Sequence, residues 1–502
     1  MLPVSVEAQE PLSAIDWLSN PVPLTTRIVP RAAPLAGEEP PVTESAVTPQ
    51  VTVQTLGELS ADAVGLLPAN VTGLPSSLWF ASETEDLVRA IHAQDTLGLP
   101  AMQSLLYTLL LAEAEPPVDA GTDHSLLEAR IEKLLQLGAV EPAHALLQRA
   151  GPETPELFSI WFDVSLLLGV EDEACAALNR KPFVSKDPAA RIYCTARGGD
   201  WNAAALTLES AMALDLLEPL EASLLAQFLD PELVETSPEL PPPASTSPLV
   251  FRLFEAAGRR LPTGSLPRAY AMADLNDTAG WKAELEAAER LTRTGALSEN
   301  RLVDFYTARH PAASGGIWDR VEAIQRFDTA IRSGDPGAVA SSLPRAWKAM
   351  QSVHLEVPFA RFYAVSLIRL PITGEAGNIA KAIGLLSSEY EEQAARLDLS
   401  VPDDAFLAAL ASGQPPESIP DDPLARTIGA AFTQNTMPDT LVPLLEQDKL
   451  GEAILRAMAL VTSGASGNFS DIEDGLRGLR ALGLEDTARR ASLQLMLLNQ
   501  GG

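Results

Sequence analysis

Residues 310–320, His-Pro-Ala-Ala-Ser-Gly-Gly-Ile-Trp-Asp-Arg, hold the residue types that could make a phosphate cradle, a nucleophile on a tight turn, or a helix start. A phosphate loop needs Gly-rich backbone running from a strand into a Lys and a Ser or Thr, because backbone N–H groups and an ammonium must surround the anion. No Lys follows here, and the preceding sequence is helix-patterned. A nucleophile elbow needs Gly two residues before its Ser, whereas Ser314 has Ala312 there. The remaining reading is structural. Pro311 ends one helix, Ser314 caps the next, Asp319 sits near the positive end of its dipole, and Trp318 packs into a helical seam.

The other chemistry-bearing types are sparse. The stretch 463–469 (SGASGNF) fails the same tests and reads as an inter-helix loop. The five histidines, at 92, 124, 144, 310 and 354, form no i,i+4 pair and stand near no Cys cluster, so neither a metal nor a cofactor is expected. Cys175 and Cys194, the only cysteines, flank the connector 179–188 between two helical stretches. In an antiparallel hairpin they fall within about a turn of each other, inside the ~4.4–6.8 Å Cα separation that a disulfide needs. Two buried thiols are the alternative reading.

These few groups must be positioned by a chain of 502 residues, too long for one hydrophobic core. Its apolar residues are mainly Ala and Leu, and aromatics make up only 5%, a composition suited to helices rather than sheets. Acidic residues number 67 against 36 basic ones, a net charge of −31. That field repels phosphate backbones and anionic lipid, so nucleic acid is excluded as a partner and protein partners are expected. No run of apolar residues is long enough to span a bilayer. The first residues lack a basic leader, yet Val6 and Ala8 have the −3, −1 spacing that signal peptidase accepts. Together with the cysteine pair, this spacing gives an expectation of export to a bacterial periplasm, with the cytoplasm as the alternative.

Along the chain, residues 1–50 read as a flexible Pro-rich arm. The arm carries one apolar island, LSAIDWLS at 12–19. Its Ile15, Trp17 and Leu18 either dock back on the body or anchor a partner. Residues 51–56 alternate like a single strand, and Ser82 or Thr84 is placed to cap the helix that follows. Two helical-repeat regions, 51–230 and 249–502, flank a Pro-rich linker at 231–248 whose prolines at 241, 242 and 243 forbid helix. Helical hairpins are legible at 126–151, 191–214, 281–309 and 476–498. In each, apolar residues recur at i, i+3, i+4 and i+7, a Gly closes the first helix, and an Ala-rich seam opens the second. A lone hairpin leaves one flank wet, so neighbours must cover it, and an end-to-end rod of hairpins is the expectation.

These segments resemble tetratricopeptide-like helical repeats loosely over 85–500, although the family's 34-residue period and its Tyr and Pro landmarks are not kept. The resemblance implies an all-α fold: an α-solenoid of stacked antiparallel helical hairpins behind a Pro-rich, largely irregular arm. It carries over no binding residues. The Ala/Leu texture is also similar to the superhelical portion of peptidoglycan lytic transglycosylases, which imply a helix-borne Glu-Ser acid. Glu44-Ser45 and Glu417-Ser418 lie in Pro-rich loops and Glu209-Ser210 inside a solenoid-like helix, so none promises the desolvated cleft a catalytic acid needs. Trp161, Trp201, Trp281, Trp318 and Trp347 all fall amid apolar helical neighbours and are expected in the core. The functional expectation is a non-catalytic protein-binding scaffold or adaptor. A cell-wall glycan enzyme or accessory and a cytoplasmic regulatory repeat protein are the alternatives.

Overall fold

The computed structural model describes residues 60–498 except 237–239, 244, 277, 435 and 466. The described residues are all-α, with one isolated bridge between Leu67 and Ala112 as their only β pairing. The four hairpins read from the sequence are present. They pair Ser125–Leu137 with Val140–Ala150, Pro188–Arg197 with Trp201–Ala213, Trp281–Thr292 with Glu299–Thr307, and Phe469–Ala481 with Glu485–Leu498. Gly138, Gly199, Gly295 and Gly483 make the breaks at φ between 73 and 91°, a left-handed conformation in which a Cβ would collide with the adjacent peptide.

Most neighbouring helices pack against one another, and the longer ones bury their Ala/Leu stripes in a single continuous core. The series then turns back on itself. The 3-10 stretch Arg268–Leu275 packs on Ser125–Leu137, on Phe158–Leu168 and on Trp281–Thr292. Helices from either side of 231–248 are in contact too, because Pro248–Ala256 lies on Phe158–Leu168 and Pro219–Leu229. Within 231–248, Glu232–Thr236 is a short helix.

An open rod would leave its first and last hairpins uncovered; here each covers the other. Glu485–Leu498 packs on Pro100–Leu111, and Leu450–Ala465 packs on Thr84–His92. Backbone polar groups are satisfied across this seam. The Gly451 N–H donates to the Leu78 carbonyl at 3.1 Å, the Gln94 side chain to the Leu455 carbonyl at 3.1 Å, and the Ala101 N–H to the Gln494 side chain at 2.8 Å. Gly451 has to be glycine, since a Cβ there would lie 2.3 Å from the Trp79 ring. The end-to-end expectation is corrected accordingly: covering two wet apolar flanks favours closure over a free end.

One role recurs among the cations. A helix ends with carbonyls that lack intrahelical partners and carry partial negative charge. Lys133 donates to the His92 and Gln94 carbonyls, Arg130 to Leu110 and Ala112, Arg268 to Gln136, and Arg252 to Leu166. Arg396 donates to Ile368, Arg490 to Ser387, and Arg480 to Ala431. Seven helix ends are closed in this way. The chain has 29 Arg and only 7 Lys, and a planar guanidinium can serve two or three carbonyls at once.

A second recurring device is a tyrosine hydroxyl that donates to a carboxylate also paired with an arginine. Tyr193 with Glu171 and Arg197, and Tyr306 with Glu289 and Arg320, are two examples. Tyr363 with Asp328 and Arg332, and Tyr390 with Asp486 and Arg490, are the others. Four of the six tyrosines are held thus. The pairing satisfies phenols that burial would otherwise leave without partners.

Candidate protein-binding surface

The positions singled out from the sequence resolve in different directions. At 310–320 the reading as a helix start holds, but the cap does not. Gly316, at φ 59° and ψ −120°, is the N-cap of Ile317–Ser333, in a backbone region open essentially to glycine. The Asp319 carboxylate reaches back to accept the Gly315 N–H at 2.9 Å, which takes the role expected of Ser314. Trp318 packs on Trp281 with ring centroids 5.1 Å apart. Upstream, the N-cap of Thr84–His92 is Glu83 rather than Ser82 or Thr84, and Asp119 from a distant loop accepts the Thr84 N–H at 3.1 Å. Cys175 and Cys194 are joined in a disulfide, with Cα atoms 4.7 Å apart. Ile15, Trp17, Leu18, Glu44 and the expected strand at 51–56 lie outside the described residues.

The histidines are dispersed. Among the described residues, no group of three or more His, Cys, Asp or Glu is placed to hold a metal ion. Glu209 and Glu417 are both exposed to solvent. A cavity of about 410 Å³ opens at this seam, between the 93–99 connector and the helices Leu450–Ala465 and Glu485–Leu498. Leu97, Leu99, Thr462, Gln494 and Leu498 line it, and Asp95 is its one ionisable residue. One carboxylate without a second titratable group offers no acid–base pair.

One carboxyl is strongly perturbed. Asp163, half-buried in Phe158–Leu168, has its pKa pushed up to about 7, first by burial and then by the charge of Asp187. Glu221 is shifted upward for the same two reasons, with Glu218 adding to the repulsion.

The clearest departure from sequence expectation is Trp201. The other four tryptophans of the sequence reading are in or against the core, but Trp201 is 48% exposed. It opens Trp201–Ala213, where Asp200 accepts the Ala203 N–H and so caps the helix. That helix is apolar nearly all round: Ala204, Leu208 and Ala211 face the core, while Leu206 and Met212 are exposed. Its packing partners, Pro188–Arg197 and Pro219–Leu229, cover one side only. Trp201 rests on Phe228 at a centroid distance of 5.8 Å, which leaves its other face open. The turn that follows adds Leu214 and Leu216, both more than half exposed. Between those two leucines Asp215 takes φ 56°, a left-handed conformation that swings the chain outward.

Sequence reasoning expected Trp201 in the core because a Trp amid Ala and Leu on a helix is usually buried. A sequence signal did exist. Residues 198–251 contain nine acidic residues and no Lys, Arg or His, so after Arg197 no cation follows this apolar helix until Arg252. Searches against protein-family models, curated proteins and solved structures return no match to this chain.

Proposed function

We propose that this chain is a non-catalytic protein-binding scaffold, an irregular solenoid of stacked helical hairpins whose ends are closed on each other. The observation that carries the reading is the exposed apolar surface on Trp201–Ala213 and the turn after it. Exposed Leu and Phe side chains occur elsewhere too, at Phe80, Leu97, Phe183 and Leu399, but five large apolar side chains within sixteen residues, Trp201, Leu206, Met212, Leu214 and Leu216, stand in solvent here. Contiguous exposed apolar residues rimmed by charge are what protein-interaction sites are made of.

We further propose an oxidising, exported setting such as a bacterial periplasm. Support comes from the Cys175–Cys194 disulfide, since such bonds persist where thiols are not kept reduced. The test is affinity capture of the full chain from native extract, followed by titration of each captured partner in purified form. Saturable binding at 1:1 or another fixed ratio supports the scaffold. Turnover of a cell-wall glycan by the purified chain without a partner would overturn it.

A further inference from the structure

The apolar strip on Trp201–Ala213 has a definite electrostatic setting. Trp201, Ala205 and Met212 fall on one edge of the helix by their spacing of four and seven residues, and Leu216 is exposed in the turn beyond the helix end. Flanking it are Glu209, Asp215 and Glu218, all exposed, and the half-buried Glu221. No cation from 198–251 offsets them, because that stretch has none. The nearest arginines in sequence are already engaged: Arg197 pairs with Glu171 and Asp172, and Arg252 pairs with Glu255.

We propose that this acid-rimmed apolar strip is the docking site for a cationic amphipathic helix of a partner protein. The inference rests on the scaffold reading and names the chemistry of its partner. Charge decides between occupants. The chain's own residues 1–59 hold seven acidic and two basic residues, net −5, and are repelled by the rim. A second copy, at −31, is repelled more strongly. Anionic membrane and nucleic acid carry the same sign and are disfavoured likewise. A helix with Leu or Phe on one face and Lys or Arg at its margins satisfies both parts of the surface. Its apolar face covers Trp201, Met212 and Leu216, and its margins meet Glu209, Asp215 and Glu218. Trp and Met suit such a surface, because Trp supplies a large rigid contact area and Met adapts its shape to different side chains.

The test uses the full chain and a fluorescein-labelled 14-residue peptide of repeating Leu-Lys-Lys-Leu-Leu-Lys-Leu, read by anisotropy. A peptide with Glu in place of Lys serves as the charge control. Saturable binding is expected for the Lys peptide and none for the Glu peptide. Trp201→Ser with Met212→Ser should weaken binding at least tenfold. Glu209→Gln with Asp215→Asn and Glu218→Gln should weaken it and flatten its salt dependence. Leu399→Ser, at a remote exposed leucine, should leave it unchanged. If the Trp201 variant loses stability, Met212→Ser with Leu216→Ser replaces it, since both side chains are more than half exposed. No binding of the Lys peptide, equal binding of both peptides, or equal weakening by Leu399→Ser overturns the proposal. A partner captured from native extract that still binds the Trp201→Ser, Met212→Ser variant removes this site while leaving the scaffold reading intact.

Discussion

Replacing Arg130 by methionine should release the first described segment from the body. Arg130 is fully buried in Ser125–Leu137, and its guanidinium donates to the Leu110 carbonyl at 2.7 Å, to Ala112 at 3.0 Å and to Asp62 at 3.1 Å. The Asp62 carboxylate, 1% exposed, accepts the Leu127 N–H at 2.7 Å. Burial raises the Asp62 pKa above its ordinary value and pushes that of Arg130 down to about 10. Both groups move toward their neutral forms because desolvation outweighs the favourable charges around them; Arg130 is held by three backbone carbonyls, and the Asp62 carboxylate by the Leu127 N–H with the His124 ring 3.9 Å away. Removing the cation strands three buried carbonyls, at about 1–3 kcal/mol each, and takes away one of the positive charges near Asp62, a loss of about 3–5 kcal/mol. At ~2.1 cal/mol/K per residue over roughly 430 described residues, the unfolding entropy is about 0.9 kcal/mol/K, so Tm falls by about 3–5 °C. Hydrogen exchange locates the damage. The Leu66 and Leu67 N–H groups donate to Leu111 and the Glu113 N–H donates to Leu67, and these amides should lose protection first. Asp62→Asn added to Arg130→Met keeps an acceptor for Leu127 while removing a buried charge that Arg130 no longer offsets, and should recover part of the loss. A Tm change under about 1 °C with those amides still protected refutes the reasoning. So does a double variant no better than the single one.

Three further outcomes follow from the same geometry. Reducing the Cys175–Cys194 bond, or replacing both residues by Ser, frees a loop of 19 residues and should lower stability by about 3 kcal/mol in denaturant titration. Gly451→Ala would press a methyl into the Trp79 ring and against the Leu78 carbonyl; a loss of about 2–3 kcal/mol should show in the melt, with the Gly451 amide becoming exchangeable. Asp163→Asn should stabilise the chain in a pH-dependent manner. With a folded pKa of about 7 against 3.8, the native carboxyl binds its proton more tightly than the unfolded one, so native stability declines as pH rises from about 4 to 7. The Asn variant should therefore match the parent below pH 4 and exceed it by on the order of 4 kcal/mol above pH 7, measured by urea unfolding across that range.

The sequence by itself determined the helices and their local pairing. A 3.6-residue apolar period and a glycine at each break are local instructions, which is why the hairpins around Gly138, Gly199, Gly295 and Gly483 stand where the pattern puts them. The cysteine pair was legible for the same reason, since an antiparallel hairpin converts spacing into proximity. The cap at 314–319 was not, because Gly316 and Asp319 compete with Ser314 for one helix start and only the backbone torsions select the winner. Tertiary structure alone decided the closure of Leu78 and Trp79 on Gly451, the carbonyl each arginine serves, and the side of Trp201–Ala213 left in water. Each of these depends on groups brought together from distant parts of the chain, and a backbone carbonyl or an uncovered helix flank has no residue type of its own. Periodicity marks a face as apolar; which neighbour covers it is settled only when the whole chain has packed.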